Sequence, residues 1–253
     1  MTAEVAPSAA PAPPPRRRSD RGVQLVCAWG GPLCTLLALL GLVVIGGFVP
    51  PQDPSDSAQE IANYYSENDT QILIGMVIAM AAFTLFVPFG IAVALQTQRT
   101  EGRPVLTYIQ IACIAIAALE GVMAAFIWGA AAFRPDDIDP EITRTLNDLG
   151  WFAFLFDVPP FTLWIGAIGV AILRDDSSPP VFPRWLGYFN LWVAFLILPA
   201  ELMGFFKTGP FAFDGLLALY LPAGLFFVWI LTTAWVLVGV IKREPEPELA
   251  TPA

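Results

Sequence analysis

Residues 105–131 read VLTYIQIACIAIAALEGVMAAFIWGAA. This stretch holds one charged side chain, Glu120, and no proline, and it exceeds the roughly 20 apolar residues needed to cross a hydrocarbon core about 30 Å thick. Its apolar residues are continuous rather than alternating. In lipid only helices and closed barrels satisfy their own backbone groups, so a transmembrane helix is the assignment that fits.

Working outward, five further runs have the same character: Leu25–Val49, Gln71–Gln96, Trp151–Leu173, Leu186–Phe206 and Leu216–Ile241, with Val105–Ala131 the third of six. The whole chain agrees. Apolar residues make up 56% of its 253 residues, charged residues 14%, and the mean hydropathy is +0.64. A soluble domain carries about 25% charge, so there is too little polar surface here to coat a water-soluble globule. The expected fold class is therefore an all-α membrane protein, a bundle of six transmembrane helices.

Composition also excludes functions. With 13 basic and 22 acidic residues the net charge is −9, which leaves no basic face for nucleic acid. The chain has no histidine, which removes His-based metal sites and Ser-His triads. Cys27, Cys34 and Cys113 all lie in apolar runs, so no disulfide framework is implied. No G-x-S-x-G, P-loop, H-E-x-x-H or C-x-x-C occurs, and no cofactor motif.

The Pro- and Ala-rich residues 1–23 and the Pro- and Glu-rich residues 242–253 are expected to be disordered tails flanking a membrane domain at 24–241. A secretory signal is the competing assignment for the start, but the apolar run is too long and no small-residue cleavage site comes after it. If both tails are cytoplasmic, 10 of the 13 basic residues fall inside, and only Arg134, Arg144 and Lys207 fall outside. The positive-inside rule favours that orientation. Two short extracytoplasmic helices are expected. One starts at the capping box Ser57-Ala58-Gln59-Glu60, with Tyr64 and Tyr65 at headgroup level; the other starts at Asp139-Pro140. Trp151 and Trp185 are placed in the aromatic belts.

Three ionisable residues lie inside apolar runs: Glu120, Asp157 and Glu201. A charge at mid-membrane costs roughly 2.5–3.5 kcal/mol, so such groups face a bundle interior or a wet cavity. Counting about 1.5 Å per residue puts all three in the outer half. The functional reading is an outward-facing pocket for a small cationic or amphipathic ligand, with Gln110, Asn190 and Lys207 as supporting polar groups. The structural reading makes Glu201 a snorkelling surface group, Glu120 a hydrogen-bonding glue between helices, Asp157 a cap for the helix restarted by Pro159-Pro160, and Lys207 half of an interfacial ion pair. Pro88, Pro159-Pro160 and Pro199 suggest broken helices of the kind that build midplane sites, while Pro222 is assigned an ordinary place in a membrane helix. Runs 2–3 and 4–5 show a faint parallel repeat, Val87-Pro88-Phe89 through Gln110 against Val158-Pro159-Pro160-Phe161 through Asn190.

Several words at membrane boundaries carry a resemblance. They are Ala131-Ala132-Phe133-Arg134-Pro135; Leu146-Asn147-Asp148 with Trp151; Pro180-Val181-Phe182-Pro183-Arg184-Trp185 with Gly187-Tyr188 and Asn190; and Phe205-Phe206-Lys207 with Gly209-Pro210-Phe211-Ala212 and Gly215-Leu216-Leu217. Over residues 24–241 the chain resembles a group of uncharacterised multipass bacterial membrane proteins of actinobacterial type. The resemblance implies a multipass topology in a bacterial cytoplasmic (inner) membrane and nothing catalytic. Three functions stay open: a ligand-binding or transporting protein, an accessory or scaffolding subunit with a membrane-protein partner or a second copy, and a membrane-embedded lipid-modifying enzyme using the carboxylates as acid and base.

Overall fold

In a computed structural model the described residues are 21–156 and 158–244. The expected disorder of both tails, and the expected site residue Asp157, lie outside them. Eight α-helices build the bundle: α1 (Arg21–Ala38), α2 (Ala58–Thr84), α3 (Phe86–Thr97), α4 (Val105–Ala132), α5 (Pro140–Leu155), α6 (Val158–Leu173), α7 (Arg184–Leu196) and α8 (Leu221–Arg243). There is no strand among the described residues. The helices combine into six that are long and apolar enough to cross a membrane, Arg21–Ile45, Ala58–Thr100, Val105–Ala132, Pro140–Leu173, Arg184–Phe205 and Leu216–Arg243. This is the six-helix membrane bundle expected. Its outer surface is apolar where lipid would lie: Val26, Val77, Phe126, Trp192 and Trp235 are all more than half exposed.

The two extra helices start at the expected caps. Ser57 Oγ accepts from the Glu60 N–H at 3.3 Å while the Glu60 carboxylate accepts from the Ser57 N–H at 2.8 Å. Asp139 accepts from the Glu141 N–H at 2.9 Å. Neither helix stands apart, however. The first runs unbroken into the second span, and the second is the beginning of α5. The second span has 43 residues, or about 65 Å at 1.5 Å per residue, far more than a hydrocarbon core requires. Its first turns therefore stand outside the lipid, packed on α5.

That packing corrects the aromatic assignment. Tyr65 is fully buried, and its hydroxyl donates to Asn147 Oδ1 at 3.1 Å. Tyr64 donates to the carbonyl of Gly47 at 2.9 Å. Trp151 is buried too, with its ring stacked on Phe213 and edge-on to Trp128. These rings form an aromatic core at the loop end of the bundle, because α2 and α5 extend past the membrane and need apolar surface to hold together. Trp185, in contrast, is 48% exposed at the start of α7.

α1 begins at Arg21, inside the segment assigned to the tail, and Lys242 and Arg243 close α8. The Arg21 guanidinium donates to the Lys242 carbonyl at 2.6 Å, so both ends of the described chain meet at one end of the bundle. We call this the tail end. The opposite loop end carries residues 46–57, 133–139 and 206–215.

Two apolar clusters stack along the bundle axis. The tail-end cluster centres on Phe89, Ile114, Trp164 and Trp229, and the loop-end cluster on Phe48, Tyr65, Trp128 and Trp151. Where they meet, five of the six spans change helical form. α1 passes into a π-helical turn (Leu39–Ile45), α2 yields to α3 at Leu85, α5 to α6 before Pro159, and α7 to a 3-10 segment (Leu198–Phe205) at Pro199; a π-helical turn (Leu216–Tyr220) precedes α8 at Pro222. Only α4, the span without a proline, runs through unbroken.

Candidate functional site

A cavity of about 140 Å³ lies at the level of these breaks. Every span contributes to its wall, including Ala38 and Leu42 from the first, Phe83 and Phe86 from the second, Ala117 and Gly121 from α4, Val158 and Phe161 from the fourth, Ala200 from the fifth, and Pro222 and Phe226 from the sixth. The described lining residues are all apolar. Local geometry explains the space. A proline removes a backbone donor and obstructs the turn before it, so the axis shifts at the breaks near Pro88, Pro159, Pro199 and Pro222, whereas the π-helical turn Leu39–Ile45 contains no proline. α4 compensates with small residues: a Cβ at Gly121 would come within 2.6 Å of the Phe83 ring. Pro222, assigned an ordinary helical place from the sequence, is on the wall.

Among the described residues, none of the expected polar groups lines this space. Glu120 and Glu201 are half-buried, each with one carboxylate oxygen shut off from solvent and without a hydrogen-bond partner, Glu120 Oε2 and Glu201 Oε1. Both adjoin the cavity along the chain. Glu120 precedes the wall residue Gly121, and Glu201 comes directly after the wall residue Ala200. Val158, the residue after Asp157, is also a wall residue. α4 packs on α2, α3, α5 and α6, whereas the 3-10 segment carrying Glu201 packs on α5, α6, α7 and the π-helical turn before α8. The two glutamates thus flank the cavity from elements without substantial mutual contact.

The supporting groups are elsewhere. Gln110 is fully buried at the tail end, where its amide donates to Thr97 Oγ1 at 3.0 Å. Asn190 is fully buried as well; it accepts from Trp229 Nε1 at 2.9 Å and donates to the Leu186 carbonyl at 2.7 Å. Both tie helices together. Lys207 is exposed, and among the described residues it makes no ion pair with Glu201 or Asp214. The tryptophans divide likewise. Trp128, Trp164 and Trp229 are core, whereas Trp192 and Trp235 point outward at 63% and 75% exposure.

Two polar features were not anticipated. At the tail end Gln96 donates to Gln24 (2.6 Å) and Glu244 (2.9 Å), and Arg99 pairs with Glu244 at 2.9 Å, joining the first, second and last spans. Next to it, Asp175 sits buried in the 174–183 loop and accepts from the N–H groups of Ser177 (3.0 Å) and Val181 (2.7 Å). Burial pushes its carboxyl upward, but these hydrogen bonds and nearby Arg184 outweigh it, and the net shift is downward. At the loop end the opposite holds for Asp214. Burial first, then the charges of Asp53 and Asp56, push its carboxyl above its ordinary value, against a backbone hydrogen bond that lowers it. The acid-rich spacing of these loops was visible in the sequence, but the burial of Asp214 was not.

No curated protein and no solved structure matches the sequence. A family model does, from residue 33 to residue 239, a stretch that begins within the first span, ends within the sixth, and holds every described residue of the cavity wall. On that match, the chain belongs to the family defined by a domain of unknown function, DUF4386.

Proposed function

We propose that this membrane protein binds a small amphipathic molecule at mid-bundle, its apolar body in the central cavity and its cationic end on Glu120, with Asp157 and Glu201 as further carboxylates around the same space. The observation that carries the reading is the coincidence of three features at one level: the helix breaks, the apolar cavity, and chain adjacency of all three intramembrane acids to wall residues. A cavity of about 140 Å³ is close to the engineered apolar cavities of about 150 Å³ that stay dry and take up benzene. It suits one ring or a short branched alkyl group. A carboxylate oxygen buried without a partner has an unmet demand for a donor that a ligand ammonium would satisfy. The breaks give each half-span a place to reorient, as in transporters built from discontinuous helices. By the positive-inside rule the tail end faces the cytoplasm of a bacterial cell.

The test uses purified full-length protein and three probes of equal ring size: toluene, benzylammonium and benzoate. Benzylammonium is expected to raise the unfolding temperature most and benzoate least. Glu120→Gln should abolish that ranking while keeping the toluene response, and Ala117→Leu, which fills the cavity, should suppress all three. An unchanged ranking in Glu120→Gln, or a full response in Ala117→Leu, would refute the proposal.

A further inference from the structure

A second concavity, of about 510 Å³, lies at the tail end on the outer surface of the bundle, between the 174–183 loop, the start of α7 and the last turns of α8. One wall is Pro179, Pro180, Val181 and Pro183. The prolines have no N–H, and the Val181 N–H is already held by Asp175, so this wall offers an anion no backbone donor. The other wall is the α8 stripe Trp235, Gly239 and Arg243, four residues apart and so on one helix face. A Cβ at Gly239 would meet nothing within 4 Å, so the floor between the indole and the guanidinium is open.

The charges around it are unevenly engaged. Arg99 is paired with Glu244, Arg184 donates to the Leu173 carbonyl, and Asp175 is occupied by its own loop. Arg243 is exposed, lines the groove, and has no hydrogen-bond or ion-pair partner among the described residues. A groove with one unpaired lining cation therefore opens at the tail end of the bundle, with the half-exposed Trp185 on its edge. Trp235 lies eight residues from Arg243, or about 12 Å along the helix toward mid-membrane, and is 75% exposed.

A cation at the rim, an apolar floor leading into the membrane and a flanking indole match the chemistry of an anionic phospholipid: phosphate on Arg243 and acyl chain laid over Gly239 beside Trp235. We propose that this groove is a binding site for an anionic phospholipid. It stands apart from the central cavity, with which it shares no lining residue.

The experiment is native mass spectrometry of the full chain in neutral detergent, titrated separately with phosphatidylglycerol and phosphatidylcholine of the same acyl chains. The protein is expected to retain phosphatidylglycerol preferentially. Arg243→Gln should weaken that retention about tenfold, the scale of one charge-assisted hydrogen bond, while Arg243→Lys keeps part of it. Gly239→Leu should weaken retention with no fall in unfolding temperature, since its side chain enters open space. Millimolar inorganic phosphate should not compete, because the acyl contacts are part of the site. Equal retention of the two lipids, full retention in both Arg243→Gln and Gly239→Leu, or displacement by inorganic phosphate would overturn the proposal.

Discussion

Asn190 is the polar group whose role the geometry defines most sharply, and its removal has a calculable cost. Its Oδ1 accepts the Trp229 indole N–H at 2.9 Å, both side chains are fully buried, and the bond joins α7 to α8. Asn190→Leu keeps the volume roughly constant and leaves that N–H without an acceptor. A buried donor stripped of its partner costs about 1–3 kcal/mol in proteins generally. Hydrogen bonds between membrane helices are worth about 0.6 kcal/mol on average and about 1.7 at most, because the separated helices find other partners. The short distance and complete burial here place the coupling in the upper part of that membrane range, about 1–1.7 kcal/mol. Trp229→Phe loses more in total, since its ring also packs against Phe89, Phe161, Trp164 and Phe226. The double variant should then be more stable than the sum of the single losses by the coupling energy. Equilibrium unfolding in bicelles, monitored by tryptophan fluorescence, measures the cycle. Additivity within about 0.3 kcal/mol would show that the bond contributes nothing, and the structural role of Asn190 would be lost.

Asp175 makes the tail-end loop acid-sensitive. Its carboxyl titrates below its unfolded value of about 3.9, so the stabilisation is present above about pH 4 and is lost as pH falls through the folded value. Asp175→Asn should lower stability by about 1.5 kcal/mol or more at neutral pH, and the gap to wild type should close on acidification; thermal melts from pH 3 to 7 measure it. Gly150 and Gly166 should respond in opposite directions to alanine. A Cβ at Gly150 runs into the Trp128 indole, for an overpacking cost of about 1–3 kcal/mol, whereas a Cβ at Gly166 meets nothing within 4 Å and gains about 0.5–1 kcal/mol of helix propensity. Equal melting temperatures for the two variants would contradict this packing.

Hydropathy made the spans legible, and prolines made most of the breaks legible, because both are local properties of the chain. Ser57, Glu60 and Asp139 gave the helix starts correctly for the same reason: each cap is a bond between residues two or three apart. The path of the chain beyond a cap is not a local property. Nothing in 57–65 announces that the helix continues without interruption into the membrane, and the fate of Tyr65 depends on Asn147, 82 positions away. The same limit applies to Gln110 and Asn190. Their amides mark them as polar groups in apolar runs, but whether such a group faces a ligand or a neighbouring helix depends on which helix is adjacent.

The cavity shows how the local signals become a site only in combination. Pro88, Pro159, Pro199 and Pro222 are dispersed along the chain, and each alone is a common event in a membrane helix. Antiparallel threading brings the associated breaks to one level, where each displaced axis leaves its neighbours incompletely packed. A hole surrounded by five broken helices and one straight one results from that registry. The acids of the apolar runs show a related pattern: Glu120, Asp157 and Glu201 belong to three different runs of the sequence, yet each is next in sequence to a residue on the cavity wall. Packing alone gives no reason for acids to adjoin the least filled part of a membrane protein, since a tighter apolar contact would be more stable there. Under the proposed function, the space is filled for part of the time by a ligand that carries the opposite charge.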